Sequence, residues 1–194
     1  MAMRLILALT LVIAVGTVVI GQTRNVPVQN LEYVIDLDAH LIYAAVVPAL
    51  WATRSKDPIV LQRETEDAQA MTQCRSFTPS PDPDWIAVQK DFWQENARRK
   101  VLPVALPFNE PYRLITLAEI EEIDARLSLK YPGVYNERPD SPPYAAVSAV
   151  GFNPEKTKAM VYVRLRDRGE VKALELRDGQ WVTAPKSSGC VWIA

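Results

Sequence analysis

The chain has 194 residues, with 22 Lys/Arg against 23 Asp/Glu and a formal net charge of −1. That balance, with a pI near 5.9, excludes the broad basic field by which a protein attracts nucleic acid or anionic lipid. Apolar residues make up 48% and charged residues 23%, ordinary values for a folded chain with its own core.

From the amino end, Leu5–Gly21 (LILALTLVIAVGTVVIG) carries no charge and follows Arg4 directly. A short positive start, an apolar stretch and small residues near Val19-Ile20-Gly21 are the three parts of an export signal. As a helix the run spans about 25 Å at roughly 1.5 Å per residue, short of a hydrocarbon core of about 30 Å. That length fits a cleaved signal peptide better than a permanent span, with a retained single-helix membrane anchor as the alternative. Arg4 on the amino side, against Glu32, Asp36 and Asp38 beyond Arg24, directs everything after residue 21 out of the cytoplasm. The division expected is therefore 1–21 as signal peptide or anchor and 22–194 as one exported domain, periplasmic or membrane-tethered.

Asp36 is positioned to cap a helix over Leu37–Val47, with Pro48 near its end. Leu41, Ile42, Ala45, Val46 and Ala49 cover most of that helix's circumference, which predicts burial or docking on a partner. Ile59–Leu61 reads as a short strand. Trp85, Val88 and Phe92, with Ile86 and Trp93 beside them, mark an amphipathic helix over Asp84–Asn96. Tyr112–Ile115 reads as a strand, and Thr116 opens a T-x-x-E capping box with Glu119. Leu117, Ile120, Ile123 and Leu127 then stripe one face of the helix that follows. Clusters of proline at Pro79-Pro81-Pro83, Pro103-Pro107-Pro111 and Pro132–Pro143 mark irregular connections. None falls between Pro154 and Pro185, and the sheet is placed there.

In KAMVYVRLR the period changes to two. Ala159, Val161, Val163 and Leu165 are expected on a core face; Lys158, Met160, Tyr162, Arg164 and Arg166 are expected towards solvent. Asn153–Thr157 makes a hairpin loop before this strand. Asp167-Arg168-Gly169 and Asp178-Gly179 signal turns after it. The result is an antiparallel meander of about four strands, closed by Gln180–Ala184 and Val191–Ile193. Helices precede strands, so the class is α+β: an N-terminal apolar helix, then helices packed on a C-terminal meander.

These residues also carry a resemblance. Tyr131-Pro132-Gly133, then SAVGFNPEKTKAMVYV (Ser148–Val163), then Asp178-Gly179-Gln180-Trp181, resemble a family of uncharacterised exported bacterial proteins. In that family a KYPG-type element precedes an S-x-V-G-F-N-x-x-x-T-x-A-x-V-Y-V hairpin and a D-G-x-W strand. The stretch Ile59–Thr65 is similar to a strand-plus-Thr element of the same group. The resemblance implies export and an α+β fold, and it carries no activity to transfer. Relatives often hold a Gly/Cys-rich insertion after the V-Y-V strand, where this chain has Arg164–Gly169.

Candidate chemistry is sparse. Cys74 and Cys190 are an even, low count for an exported chain and suggest one disulfide, with two free thiols as the alternative. Its long loop is worth about 4–5 kcal/mol by the chain-entropy argument. Asp36, Asp38 and His40 form a D-x-D-x-H cluster that could offer metal ligands, although helix capping explains the same acids more simply. Glu64, Glu66 and Asp67 could pair as acid and base, and more commonly such a cluster is a solvated turn leading into a helix. Nucleotide, redox and nucleophile-elbow motifs are absent from the sequence, so no catalytic, metal or cofactor site is assigned. Among the tryptophans, Trp85, Trp93 and Trp181 are expected in the core, and Trp51 and Trp192 nearer the surface. The leading functional expectation is a non-catalytic exported binding or scaffolding domain. If the N-terminal helix is retained, the domain becomes an accessory subunit of a membrane complex, meeting an envelope or membrane protein through that helix. The rival is an exported hydrolase using Glu64 and His40, and a small-molecule binder is a third reading by fold analogy alone.

Overall fold

A computed structural model describes residues 32–193 except 35, 54, 76, 78–79, 133–141, 166–167 and 185–189. Residues 1–21, expected to be signal or anchor, lie outside the described residues, as does Asp167 of an expected turn. Among the described residues no helix is long and apolar enough to cross a membrane.

The class is α+β. Helices α1 (Leu37–Trp51), α2 (Pro83–Glu95) and α3 (Leu117–Lys130) accompany strands β1 (Ile59–Gln62), β2 (Tyr112–Ile115), β3 (Ala145–Val147), β4 (Gly151–Phe152), β5 (Lys158–Leu165), β6 (Arg168–Arg177), β7 (Gln180–Thr183) and β8 (Val191–Ile193). One eight-stranded sheet runs β2-β1-β3-β5-β6-β7, with β4 added on β5 and β8 on β6. The expected four-strand meander is its β4–β5–β6–β7 part, antiparallel throughout. The sheet is nevertheless mixed, because β1 pairs in parallel with both β2 and β3. Parallel neighbours need long crossovers, here the chain between Gln62 and Tyr112, and no local pattern announces such a pairing.

Local chemistry sets the element ends. The Asp36 carboxylate accepts the Asp38 N–H at 2.9 Å, and Asp82 does the same for Asp84 at 3.0 Å, so both helices start on an Asp-x-Asp cap. The Thr116–Glu119 capping box forms as expected. Helix α1 continues one turn past Pro48 to Trp51, because Trp51 is buried and its indole N–H donates to the Asp57 carbonyl at 2.8 Å. Trp51 is therefore core, against the sequence reading. Asp178 and Gly179 both have positive φ, 51° and 77°, which is the type I′ turn that a two-residue hairpin needs. Leu165 pairs with Arg168 and Arg164 with Gly169. Arg168 and Gly169 are thus strand residues rather than turn.

The face of β5 assigned to solvent is also buried, which corrects the alternation reading. Ala159, Val161, Val163 and Leu165 meet Ile42, Val46 and Trp51 of α1 in one core. Met160 and Tyr162 lie on the opposite face in a second core with Trp85, Val88 and Phe92 of α2. Two helices on opposite faces leave only Lys158 and Arg164, near the strand ends, at partial exposure. Their charges made an internal face look like a solvated one. Cys74 and Cys190 form a disulfide across a separation of 116 residues, with Cα atoms 5.4 Å apart. It joins the second core and ties the chain entering β8 to the Thr72–Cys74 turn. Such a bond fits an oxidising compartment.

The β4–β5 hairpin fastens both helices. Asn153 is buried, and its side-chain carbonyl accepts from the Thr157 and Lys158 N–H groups at 2.9 and 2.8 Å. This loop delivers Lys156 to Asp36 (2.8 Å) and Asp38 (3.1 Å) at the start of α1. It delivers Lys158 to Asp82 (2.7 Å) and Asp84 (2.9 Å) at the start of α2. Gly151 lies against the Phe92 backbone so closely that a Cβ there would come within 2.3 Å of the Phe92 nitrogen. Overpacking a close backbone approach costs about 1–3 kcal/mol. We therefore expect Gly151→Ala to lower unfolding free energy by at least that amount in urea titrations. An unchanged midpoint would show that α2 is not seated on β4 as described.

Candidate functional site

A cleft of about 570 Å³ opens between residues 32–34, Asp36 and the start of α1, one side of α2 and the β4–β5 hairpin. That volume lies within the range of small-ligand sites. Ala87, Ala149, Val150 and Phe152 supply apolar lining, and Asp36, Asp91, Glu95, Lys100 and Lys156, with the exposed Glu32 and Lys90, supply charge.

The walls are held by α2. No strand pairs with the outer edge of β4 among the described residues, and side chains of α2 take that place. The Asn96 amide accepts the Ala149 N–H at 2.8 Å and donates to the Ala149 carbonyl at 3.0 Å. The Asp91 carboxylate accepts the Phe152 N–H at 2.8 Å. Ser148 closes the bulge from inside: its hydroxyl accepts the Tyr162 N–H at 2.9 Å and donates to the Ala149 carbonyl at 2.7 Å. Tyr43 of α1 donates to the Ser148 carbonyl at 3.0 Å, and burial raises its own pKa. Each of these bonds satisfies a buried backbone group that would otherwise be orphaned.

Charge within the cleft is unevenly neutralised. Glu95 is paired with Lys100, and Asp36 with Lys156. Burial pushes Asp36 up, and the Lys156 ammonium with the Asp38 and Ala39 N–H groups overrides it, so its pKa lies below the ordinary carboxylate value. Among the described residues Asp91 has no ion pair. Burial raises its pKa, with the Glu95 and Asp36 charges adding to that and the Phe152 N–H and Lys100 opposing it. A half-buried carboxylate with a raised pKa in a cleft is a common mark of a functional site.

Of the sequence-predicted candidates only Asp36 lines the cleft; the others lie elsewhere. Glu64 accepts the Leu117 N–H at 2.8 Å and so serves the start of α3. The ring Nε2–H of His40 donates to the Val34 carbonyl at 2.9 Å. Asp36 and Asp38 turn to Lys156 instead of joining His40, and among the described residues no group of three His, Cys, Asp or Glu side chains could hold a metal. Glu66 is neither solvated nor in a turn. The chain beyond β1 stays extended, with the Thr65 N–H on the Lys100 carbonyl and the Glu66 N–H on the Val147 carbonyl, both at 2.8 Å. Buried there, Glu66 takes the Arg164 Nε and Nη2 groups at 3.0 and 2.5 Å, while Asp67 takes Arg99 Nε at 3.3 Å. Arg164 also lies over the Tyr144 ring at 5.2 Å. Burial opposes the Arg164 charge and Glu66 overrides it, so its pKa is raised. None of Glu64, Glu66, Asp67 or His40 lines the cleft. Sequence reasoning missed Asp91, an acid on the polar flank of an amphipathic helix. The one available signal was Gly151, since a glycine inside a strand marks close backbone approach.

Removing one partner of a buried ion pair leaves an uncompensated charge at a cost of about 3–5 kcal/mol. We expect Glu66→Ala to destabilise by that amount and, in a double-mutant cycle, Glu66→Ala with Arg164→Met to lose less than the sum of the two single variants; strictly additive losses would rule out the pair. Asp91 titrates with the opposite sign from Asp36. With its folded pKa raised above the ordinary 3.8, the protonated form favours folding, so stability is greatest below about pH 4 and is lost as pH rises through the raised value. Asp36, with a lowered pKa, adds stability above that value and loses it on acidification. Asp91→Asn is expected to gain stability relative to wild type as pH climbs from 3 to 7. A constant difference across that window would contradict the assignment.

Comparison of the chain with protein-family models, with curated proteins and with solved structures returns no match.

Proposed function

We propose that this chain is a non-catalytic exported binding domain whose ligand seats in the cleft between α1, α2 and the β4–β5 hairpin. The cleft carries the reading: it is open, and its walls are tied by Asn96, Asp91 and Ser148 before any ligand arrives. A preformed pocket with a few polar groups on an apolar lining is the usual build of a ligand site. Export is supported by Arg4 with the Leu5–Gly21 run and by the disulfide. A retained run would make the domain an accessory subunit, packing its apolar helix against an envelope or membrane protein. Hydrolysis by Glu64 or His40 is disfavoured because both already hold backbone groups and neither borders the cleft.

Two measurements test this. Expressed in a bacterium and recovered from the envelope, the protein is expected to carry the disulfide; a cytoplasmic product with two free thiols would contradict export. In a fragment screen read by amide NMR of the full chain in detergent, bound fragments are expected to shift Ala87, Asp91, Ala149 and Phe152. If no fragment moves these residues, the cleft is not a binding site.

A further inference from the structure

From the charge arrangement we infer that the cleft takes an organic cation, an amine or guanidinium on an alkyl stem, with Asp91 as its counter-ion. This rests on reading the cleft as the binding site and adds the chemistry of what binds there.

Two lining carboxylates, Asp91 and Glu32, make no ion pair among the described residues; Glu32 is exposed to water, whereas Asp91 is half-buried and stands between two ion pairs. On one side Glu95 is engaged by Lys100, and on the other Asp36 is engaged by Lys156. Among the described contacts its only hydrogen bond is the Phe152 N–H on Oδ2, which leaves Oδ1 and the remaining lone pairs for a donor from outside. A carboxylate held near two others and partly removed from water is disfavoured when ionised, as its raised pKa records. A ligand cation relieves that penalty, whereas an anion would increase it. Lys100 and Lys156 are occupied by carboxylates, and Lys90 is exposed at the rim where water screens it. No cation of the cleft is therefore free and desolvated for an anionic ligand. A metal ion fits poorly, since it needs several donors and the neighbouring carboxylates are committed to lysines. The apolar surface of Ala87, Ala149 and Val150 suits a methylene stem. The Phe152 ring, already under the Lys156 ammonium at 5.4 Å, shows that aromatic surface here accepts positive charge.

The test is calorimetric titration of the full chain in detergent with four probes of similar length: 1,5-diaminopentane, agmatine, 1,5-pentanediol and glutarate. The diamine and agmatine are expected to bind, and the diol and glutarate to bind at least tenfold more weakly. Asp91→Asn keeps an acceptor for the Phe152 N–H and is expected to weaken diamine binding at least tenfold. Ala87→Trp is expected to abolish binding by filling the cleft, with Gln94→Trp at the rim as a second blocking variant should the first not fold. Diamine binding unchanged by Asp91→Asn, or equal binding of the diol, overturns the counter-ion role. If fragments occupy the cleft and neither cation does, the charge assignment alone falls. If nothing occupies it, the binding reading falls with it.

Discussion

Strand β4 and the bulge before it expose backbone groups that no strand satisfies among the described residues, and helix α2 with its C-cap residue satisfies them with two side chains. Left alone, each buried N–H or carbonyl would cost about 1–3 kcal/mol. Asn96 and Asp91 meet them at Ala149 and Phe152, and Gly151, lacking a Cβ, lets the helix come close enough to do so. From that contact the rest follows. α2 is fixed across one face of β5, α1 packs on the other, and the hairpin between β4 and β5 is held where its lysines reach both helix starts. The cleft is the gap left where α2, α1 and the hairpin converge.

This arrangement also separates structure from chemistry in the S-x-V-G-F-N-x-x-x-T-x-A-x-V-Y-V stretch. Ser148 braces the bulge, Gly151 admits α2, Asn153 organises the loop, and its amide donates to the Thr157 hydroxyl at 3.0 Å. Ala159 is fully buried beneath α1. The pattern shapes one wall of the cleft and supplies no titratable group to it except Lys156, which is bound to Asp36 and Asp38. Asp91, the unpaired half-buried carboxylate of the cleft, comes instead from α2, whose sequence carries no comparable pattern.

Much of the fold was legible because its signals are local. Period-three-to-four spacing marked α2, the capping box marked α3, and Asp178-Gly179 marked the β6–β7 turn, each a matter of a few consecutive residues. Two cysteines in a chain read as exported pointed to the disulfide that forms. What escaped was non-local. The parallel pairings of β1 join residues some fifty or more positions apart by sequence number. Burial of Met160 and Tyr162 depends on a helix that arrives from residues 83–95. Trp51 was read outward because Pro48 suggested a helix end, and packing against the core overrode that local preference. Glu64 and Glu66 were misread for the same reason, since their partners Leu117 and Arg164 are distant in sequence, whereas Asp67 does cap a local turn by accepting the Gln69 and Ala70 N–H groups. The cleft draws on three separated segments, so no motif could have announced it.

Native-state hydrogen exchange at the Ala149 and Phe152 amides tests most directly whether α2 completes the edge of β4. If Asn96 and Asp91 act as the missing strand, both amides exchange as slowly as those of β5, and Asn96→Ala accelerates Ala149 selectively. Exchange of both amides at the rate of an open loop in the wild-type chain would contradict the account, and with it the preformed cleft.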